Sequence, residues 1–121
     1  MVKLESLKKS YQFKKTLKEK KVHSDFFSIF ATKNFYKPKY KSNLLISFVM
    51  KKKIGNAVKR NKIRRKLKAI VQKLLKKRGA ISKDYTYIVF GKSNAYTQKQ
   101  TALMPLMEKS FNKIKDKWLI Y

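Results

Sequence analysis

The chain contains no cysteine, which excludes a disulfide framework and any thiolate metal site. Glycine occurs three times and proline twice, too few for a long structureless insert or a flexible linker. Histidine occurs once, at His23 among polar residues, and reads as an ordinary surface or strand residue. Only six acids are present: Glu5, Glu19, Asp25, Asp84, Glu108 and Asp116. They are scattered, so a carboxylate pair or metal cluster for protein-based catalysis has no support. Serine and threonine occur, but a single histidine and no local pattern leave a hydrolase triad without support. The longest apolar run, Leu44 to Met50, is interrupted by Ser47 and is far too short to span a bilayer. The opening "MVKLESLKKSYQF" lacks the apolar stretch of a signal peptide. Together these absences predict a soluble, cytoplasmic protein with no membrane segment, whose own side chains do no covalent chemistry.

What the chain does have is positive charge. Lysine and arginine number 33 in 121 residues, for a net charge of +27. Such charge repels itself in the compact state, and the simplest reason to tolerate it is a polyanionic partner. Nucleic acid is the first candidate and an anionic membrane surface the second. Apolar residues still make up 43%, so the chain should fold rather than stay a disordered polycation. Its length suits one domain, residues 1–121, around one modest core.

Periodicity gives the elements. Ser10 to Lys20 carries Phe13 and Leu17 as an i, i+4 pair and predicts a short helix. The aromatic stretch "VHSDFFSIFATKNF" reads as strand, with Phe27, Ile29 and Ala31 on one side and Phe26, Ser28 and Phe30 on the other. "YKPKYKSN" is a loop. "NLLISFVMK" is a further strand, with Ile46, Phe48 and Met50 on one face and Ser47, Val49 and Lys51 on the other. A long helix is predicted over 57–77, its buried stripe formed by Ile63, Leu67, Ile70, Val71 and Leu74. Arg78-Gly79 marks its end. "DYTYIVFG" is another strand. A final helix opens near Thr97, with Leu103, Met107, Phe111, Ile114 and Trp118 as its stripe. Pro105 predicts either a kink or a later start. The order is αβββαβα, a small α+β sandwich, and strand–long helix–strand suggests a crossover between parallel strands. Gly91-Lys92-Ser93 follows a strand, but a phosphate loop needs a second glycine five residues earlier, where Thr86 stands.

The arginines are unevenly spent. Arg60, Arg64 and Arg65 fall within one short stretch; the only other arginine is Arg78. Lysine is a hydrated point charge, whereas arginine is a planar fork that grips one phosphate through two bonds or stacks on a base. On a helix Arg60, Arg64 and Lys68 form one ridge at i, i+4, i+8, with Asn61 and Arg65 beside it. Gly55 and Asn56 stand at the helix entrance. Glycine lets backbone approach a phosphate, asparagine is a good N-cap, and a helix N-terminus attracts anions. The plainer alternative is the solvated face of a basic amphipathic helix; the Gly-Asn entrance and the arginine enrichment favour a nucleic-acid surface. Phe13, Phe26 and Phe30 are candidates for stacking on single-stranded bases, with a core role the equal alternative for each.

The stretch "KIGNAVKRNKIRRKLK" resembles the signature of the bacterial ribonuclease P protein subunit, carried here by Lys53, Gly55, Ala57, Val58, Arg60, Asn61, Arg64, Arg65 and Lys68. The likeness extends to Leu7, Lys8 and Lys9, to "YQF", and to "KDYTYIVFGK". It implies a fold similar to the second domain of a small-subunit ribosomal protein, with an unusual left-handed βαβ crossover. It implies two partners, a catalytic RNA and precursor tRNA, with no obligate protein partner. Cleavage of the 5′ leader would be endonucleolytic, with Mg²⁺ held by the RNA. The protein would thus be a subunit of an enzyme without catalytic residues or a metal of its own. By resemblance Phe13, Leu17 and Phe30 belong to a cleft for the single-stranded leader, to which the residue reading adds Phe26. Lys53, Gly55, Asn56, Arg60, Asn61, Arg64, Arg65 and Lys68 would face RNA. Leu17 stands where the family often has an aromatic, and Lys68 where it has arginine. The alternative is a ribosomal-type or general basic RNA-binding protein with no role in cleavage.

Overall fold

The computed structural model describes residues 2–119, with side chains described as far as Lys115. Strands β1 (Leu4–Glu5), β2 (Lys20–His23), β3 (Phe27–Lys33), β4 (Leu44–Val49) and β5 (Tyr85–Gly91) form one sheet in the order β1-β4-β5-β3-β2. Helices α1 (Ser10–Lys18), α2 (Ala57–Leu74) and α3 (Gln100–Leu119) pack against it. The αβββαβα order holds, its third strand before the long helix supplied by a split of the aromatic stretch, and is preceded by the two-residue β1. The expected parallel pair is present: β4 runs parallel to β5, with Phe48 beside Val89. The other neighbours of β5 and β3 are antiparallel.

Alternation decides which residues meet the helices. Phe27, Ile29 and Ala31 of β3, Ile46 of β4, and Tyr87 and Val89 of β5 are buried in one core with α2 and α3. All five residues of the α2 stripe, Ile63, Leu67, Ile70, Val71 and Leu74, are fully buried there. From α3 come Leu103, Met107, Phe111 and Ile114, with the Phe111 ring edge-on to Tyr87 at 5.1 Å. Trp118, the expected fifth member, lies outside the described side chains.

The opposite face of the sheet is more polar. Ser28, Thr32, Ser47 and Thr86 are buried on it, and α1 lies across β3 and β5. Consequently α1 buries Gln12 and Thr16, not its apolar pair; Phe13 is half-buried and Leu17 exposed. The polar atoms are paired, as burial requires. Gln12 Oε1 accepts from the backbone of Lys8 and Lys9 at 2.9 and 3.0 Å. Thr16 donates to the Gln12 carbonyl at 2.8 Å, and Ser47 Oγ accepts from Leu7 N–H at 2.8 Å.

Four boundaries differ from the sequence expectation. The aromatic stretch is two strands, because Ser24 stitches a tight turn between β2 and β3. Its hydroxyl bonds the Phe27 carbonyl and the amides of Phe26 and Phe27, all within 3.2 Å. Helix α1 ends at Lys18 rather than Lys20. Helix α2 stops at Leu74 rather than Lys77 because the chain tightens to i→i+3 bonds, Lys76 to Lys73 and Lys77 to Leu74. Finally, α3 begins at Gln100 and carries Pro105 in its second turn, so the later start is the one realised.

Candidate nucleic-acid interface

Beyond the C-terminal end of α1 the sheet is left uncovered, and a cleft of about 660 Å³ opens there. Its floor is aromatic. Phe30 and Phe90 come from adjacent strands on the same face, with ring centroids 5.4 Å apart and planes at 77°. His23 stands edge-on to Phe30 at 5.9 Å, and its Nδ1 lies 2.6 Å from Ser28 Oγ. Leu17 forms part of the α1 wall.

The rim is cationic. Lys51 places its ammonium 5.6 Å from the Phe90 centroid. Lys53 and Ile54 come from a short 3₁₀ turn, Lys52–Ile54, between β4 and α2. Gly91, Lys92 and Ser93 close the far side. Lys92 is committed elsewhere: its ammonium donates to the Ser24 carbonyl at 2.6 Å and ties β5 to the β2–β3 turn. Carboxylates are absent from the lining, so these residues do not suit a divalent cation. Nor do three or more His, Cys, Asp or Glu side chains gather anywhere among the described residues.

The cleft leads directly to the start of α2. Gly55 has φ 154° and ψ −164°, a region only glycine occupies readily, and a Cβ there would meet Lys59 Cδ at 2.9 Å. Asn56 caps the helix, its Oδ1 accepting from Lys59 N–H at 2.9 Å. Further along, Arg64 donates to Asn61 Oδ1 at 2.9 Å, which fixes one guanidinium on the ridge. Arg60 is half-buried, and its Nε is covered without a partner among the described residues. Arg65 and Lys68 are exposed. Of the proposed basic-helix residues, Lys53 lines the cleft, Gly55 and Asn56 follow it in the chain, and Arg60, Asn61, Arg64, Arg65 and Lys68 lie along the first twelve residues of α2.

The proposed cleft residues divide. Leu17 and Phe30 line it, whereas Phe13 is half-buried outside the lining. Phe26 packs against the core, because the Ser24 turn reverses the chain just before β3 and gives it the core side. Sequence reasoning missed His23, Lys51, Phe90 and Lys92. Phe90 and Lys51 carried a signal, as positions that alternate with the core residues Val89 and Met50. Lys66 was also missed. It looks like one more cation of the run, but its ammonium donates to the carbonyls of Ala95 and Tyr96 at 2.8 and 2.9 Å, and also to Gln98. Burial, and then the neighbouring Lys62, hold its pKa below the usual lysine value. Lys66 therefore clamps the 3₁₀ turn Ser93–Tyr96 onto α2, where Lys59 and Lys62 both lie over the Tyr96 ring at 5.3 and 4.9 Å.

The fold and the site define the class: a small α+β protein that sets an aromatic cleft with a lysine rim beside an arginine-bearing helix. The comparisons name the family. Residues 1–115 match the family model of Ribonuclease P, and the chain belongs to that family. The ribonuclease P protein component of Mycoplasma capricolum is 30% identical over 109 residues, covering 90% of this chain and 94% of the relative. That of Mycoplasma mycoides is 35% identical over 83 residues, covering 69% and 72%. Two solved structures share the fold. The Staphylococcus aureus RNase P protein has a TM-score of 0.67 at 24% identity, covering 91% of this chain and 94% of that one. The Thermotoga maritima RNase P protein has a TM-score of 0.68 at 21% identity, covering 89% and 96%. Members of this family are protein components of a ribonuclease holoenzyme that works with an RNA. No helix among the described residues is long and apolar enough to cross a membrane.

Proposed function

We propose that residues 1–121 act as one cytoplasmic RNA-binding domain, the protein subunit of ribonuclease P. In this reading the α2 ridge holds the catalytic RNA, and the cleft holds the single-stranded 5′ leader of precursor tRNA during endonucleolytic removal of that leader. The observation that carries it is the continuity of the two surfaces. The Phe30–Phe90 floor runs through Lys53 and Gly55 into the capped start of α2 and its arginines. Bases would stack on the floor at about 1–3 kcal/mol each, while guanidiniums on a rigid helix fix phosphates in register. Mg²⁺ belongs to the RNA in this scheme, since the cleft offers it no carboxylate.

Reconstitution tests the proposal. Purified protein is mixed with a bacterial ribonuclease P RNA and a 5′-extended precursor tRNA at low Mg²⁺, where the RNA alone is weak. Stimulated cleavage at the mature 5′ end is expected, together with tighter binding to precursor than to mature tRNA. Binding without stimulation, with equal affinity for every RNA, would reduce the protein to a general basic RNA-binding domain.

A further inference from the structure

A second cluster of rings lies at the opposite end of α1 from the cleft. Tyr11 of α1 is 55% exposed and Tyr40 of the β3–β4 loop is 60% exposed. Phe35, which precedes Tyr40 in the same loop, meets Tyr11 at 6.4 Å and Tyr36 at 5.0 Å, both edge-on. Lysines surround the rings. Lys15 holds its ammonium 5.2 Å from the Phe35 centroid, Lys39 lies 5.7 Å from that of Tyr40, and Lys37 and Lys41 are exposed on the same loop.

The loop is held in place by specific bonds. The Glu5 carboxylate accepts from Lys39 N–H at 2.9 Å and from Asn43 Nδ2 at 2.8 Å, and Asn34 Nδ2 donates to the Lys83 carbonyl at 2.8 Å. Glu5 is thereby committed to the loop backbone. The Tyr36 hydroxyl is covered, without a partner among the described residues, so this ring supports Phe35 rather than offering a donor. Nothing in the core needs Tyr11 or Tyr40 in water, and exposed rings that are interleaved with lysine in a rigid loop have the composition of a base-stacking platform. The cluster shares two elements with the cleft. Helix α1 carries Tyr11 and, six residues or about 9 Å further on, the cleft residue Leu17. Strand β3 carries Phe30, and Phe35 follows just past its end.

We propose that the Tyr11–Phe35–Tyr40 platform is a second docking surface for single-stranded RNA, taking unpaired bases of a strand that also reaches the cleft. The proposal rests on the reading of this protein as an RNA-binding subunit. Charge complementarity selects the occupant: a strand of phosphates with flat bases satisfies both the lysines and the rings.

The test is titration of full-length protein with uridine 6-mers and 18-mers at several salt concentrations, comparing wild type with Tyr11→Ala/Tyr40→Ala. Affinity for the 18-mer should fall about tenfold, with the salt slope unchanged because no phosphate contact is lost. The 6-mer, short enough to occupy the cleft alone, should bind as before. Tyr11→Phe/Tyr40→Phe keeps the rings and should restore 18-mer affinity. Tyr40→Ala alone, at a highly exposed position, guards against loss of fold and should give part of the effect. Equal 18-mer affinity in wild type and the double alanine variant would overturn the platform while leaving the cleft reading intact. Loss of binding to anionic lipid vesicles without loss of RNA binding would overturn it in favour of a lipid surface. Failure of wild type to bind either oligonucleotide would sink the parent reading as well.

Discussion

Arg65 and Lys66 are adjacent and carry the same charge, yet their surroundings assign them opposite work. Arg65 projects into solvent on the ridge, whereas Lys66 is half-buried against three backbone carbonyls. Arg65→Ala is therefore expected to weaken RNA binding severalfold with an unchanged melting temperature. Lys66→Met keeps the stem but strands those carbonyls. It should cost about 2 kcal/mol of stability, seen as a lower urea midpoint, while RNA affinity at temperatures where it is folded changes by no more than one charge. Equal melting temperatures for the two variants would refute the clamp. The ridge was legible because helical spacing alone places Arg60, Arg64 and Lys68 together. The clamp was not, since the partners of Lys66 lie about thirty residues away and are main-chain atoms, which a sequence does not mark. Tyr36 gives a second test at this scale. Burial, then Glu5 and Tyr11, push its pKa up to about 12. Its proton is retained in the folded state where the unfolded chain would lose it. This contribution is fully present below pH 10 and is lost as pH rises from 10 to about 12. Tyr36→Phe cannot ionise, so its urea midpoint should match or exceed wild type at pH 9 and exceed it by more at pH 11.

Elements were legible where one pattern decided them. The α2 stripe names a buried face by spacing alone, and all five residues lie in the core. The capping role of Asn56 follows from its chemistry, so Asn56→Ala should destabilise by about 1 kcal/mol while Asn56→Asp retains the cap; thermal unfolding distinguishes them. In helix α1 the spacing predicted the helix but not which face it buries. Its apolar pair, Phe13 and Leu17, marks the helix but not its buried face: the sheet beneath presents Ser28, Thr32, Ser47 and Thr86, and the helix meets it with Gln12 and Thr16. A helix pattern is read against an assumed oily partner, and here buried polar residues share that surface with Leu45 and Ile88. Gly91 records another dependence between elements. A Cβ at this position would lie 2.4 Å from Met50 Sδ and 2.8 Å from Ile63 Cγ2, so β5 can pass this close to α2 only without a side chain. Gly91→Ala should cost about 1–3 kcal/mol by overpacking, measured as a fall in denaturation midpoint. An unchanged midpoint would mean that Met50 turns aside at no cost.

At the scale of the whole molecule, six acids cannot balance 33 cations, and the folded state must live with a net charge of +27. Self-repulsion in the compact state is a real cost, and it is screened as the Debye length falls from about 30 Å at 0.01 M salt to about 10 Å at 0.1 M. The free protein should therefore melt at a higher temperature as salt rises. Binding to RNA must respond in the opposite direction. Each phosphate neutralised releases counterions, and the logarithm of the association constant falls with the logarithm of salt concentration by about 0.7 per phosphate on a single strand. A bound polyanion also stabilises the fold by mass action. Melting curves taken with saturating RNA should then start well above those of free protein at low salt and converge on them at high salt. The convergence point marks where screening has replaced the partner. A melting temperature of free protein that does not move with salt would show that the lysines are spaced widely enough not to oppose folding, and the excess charge would then bear on binding alone.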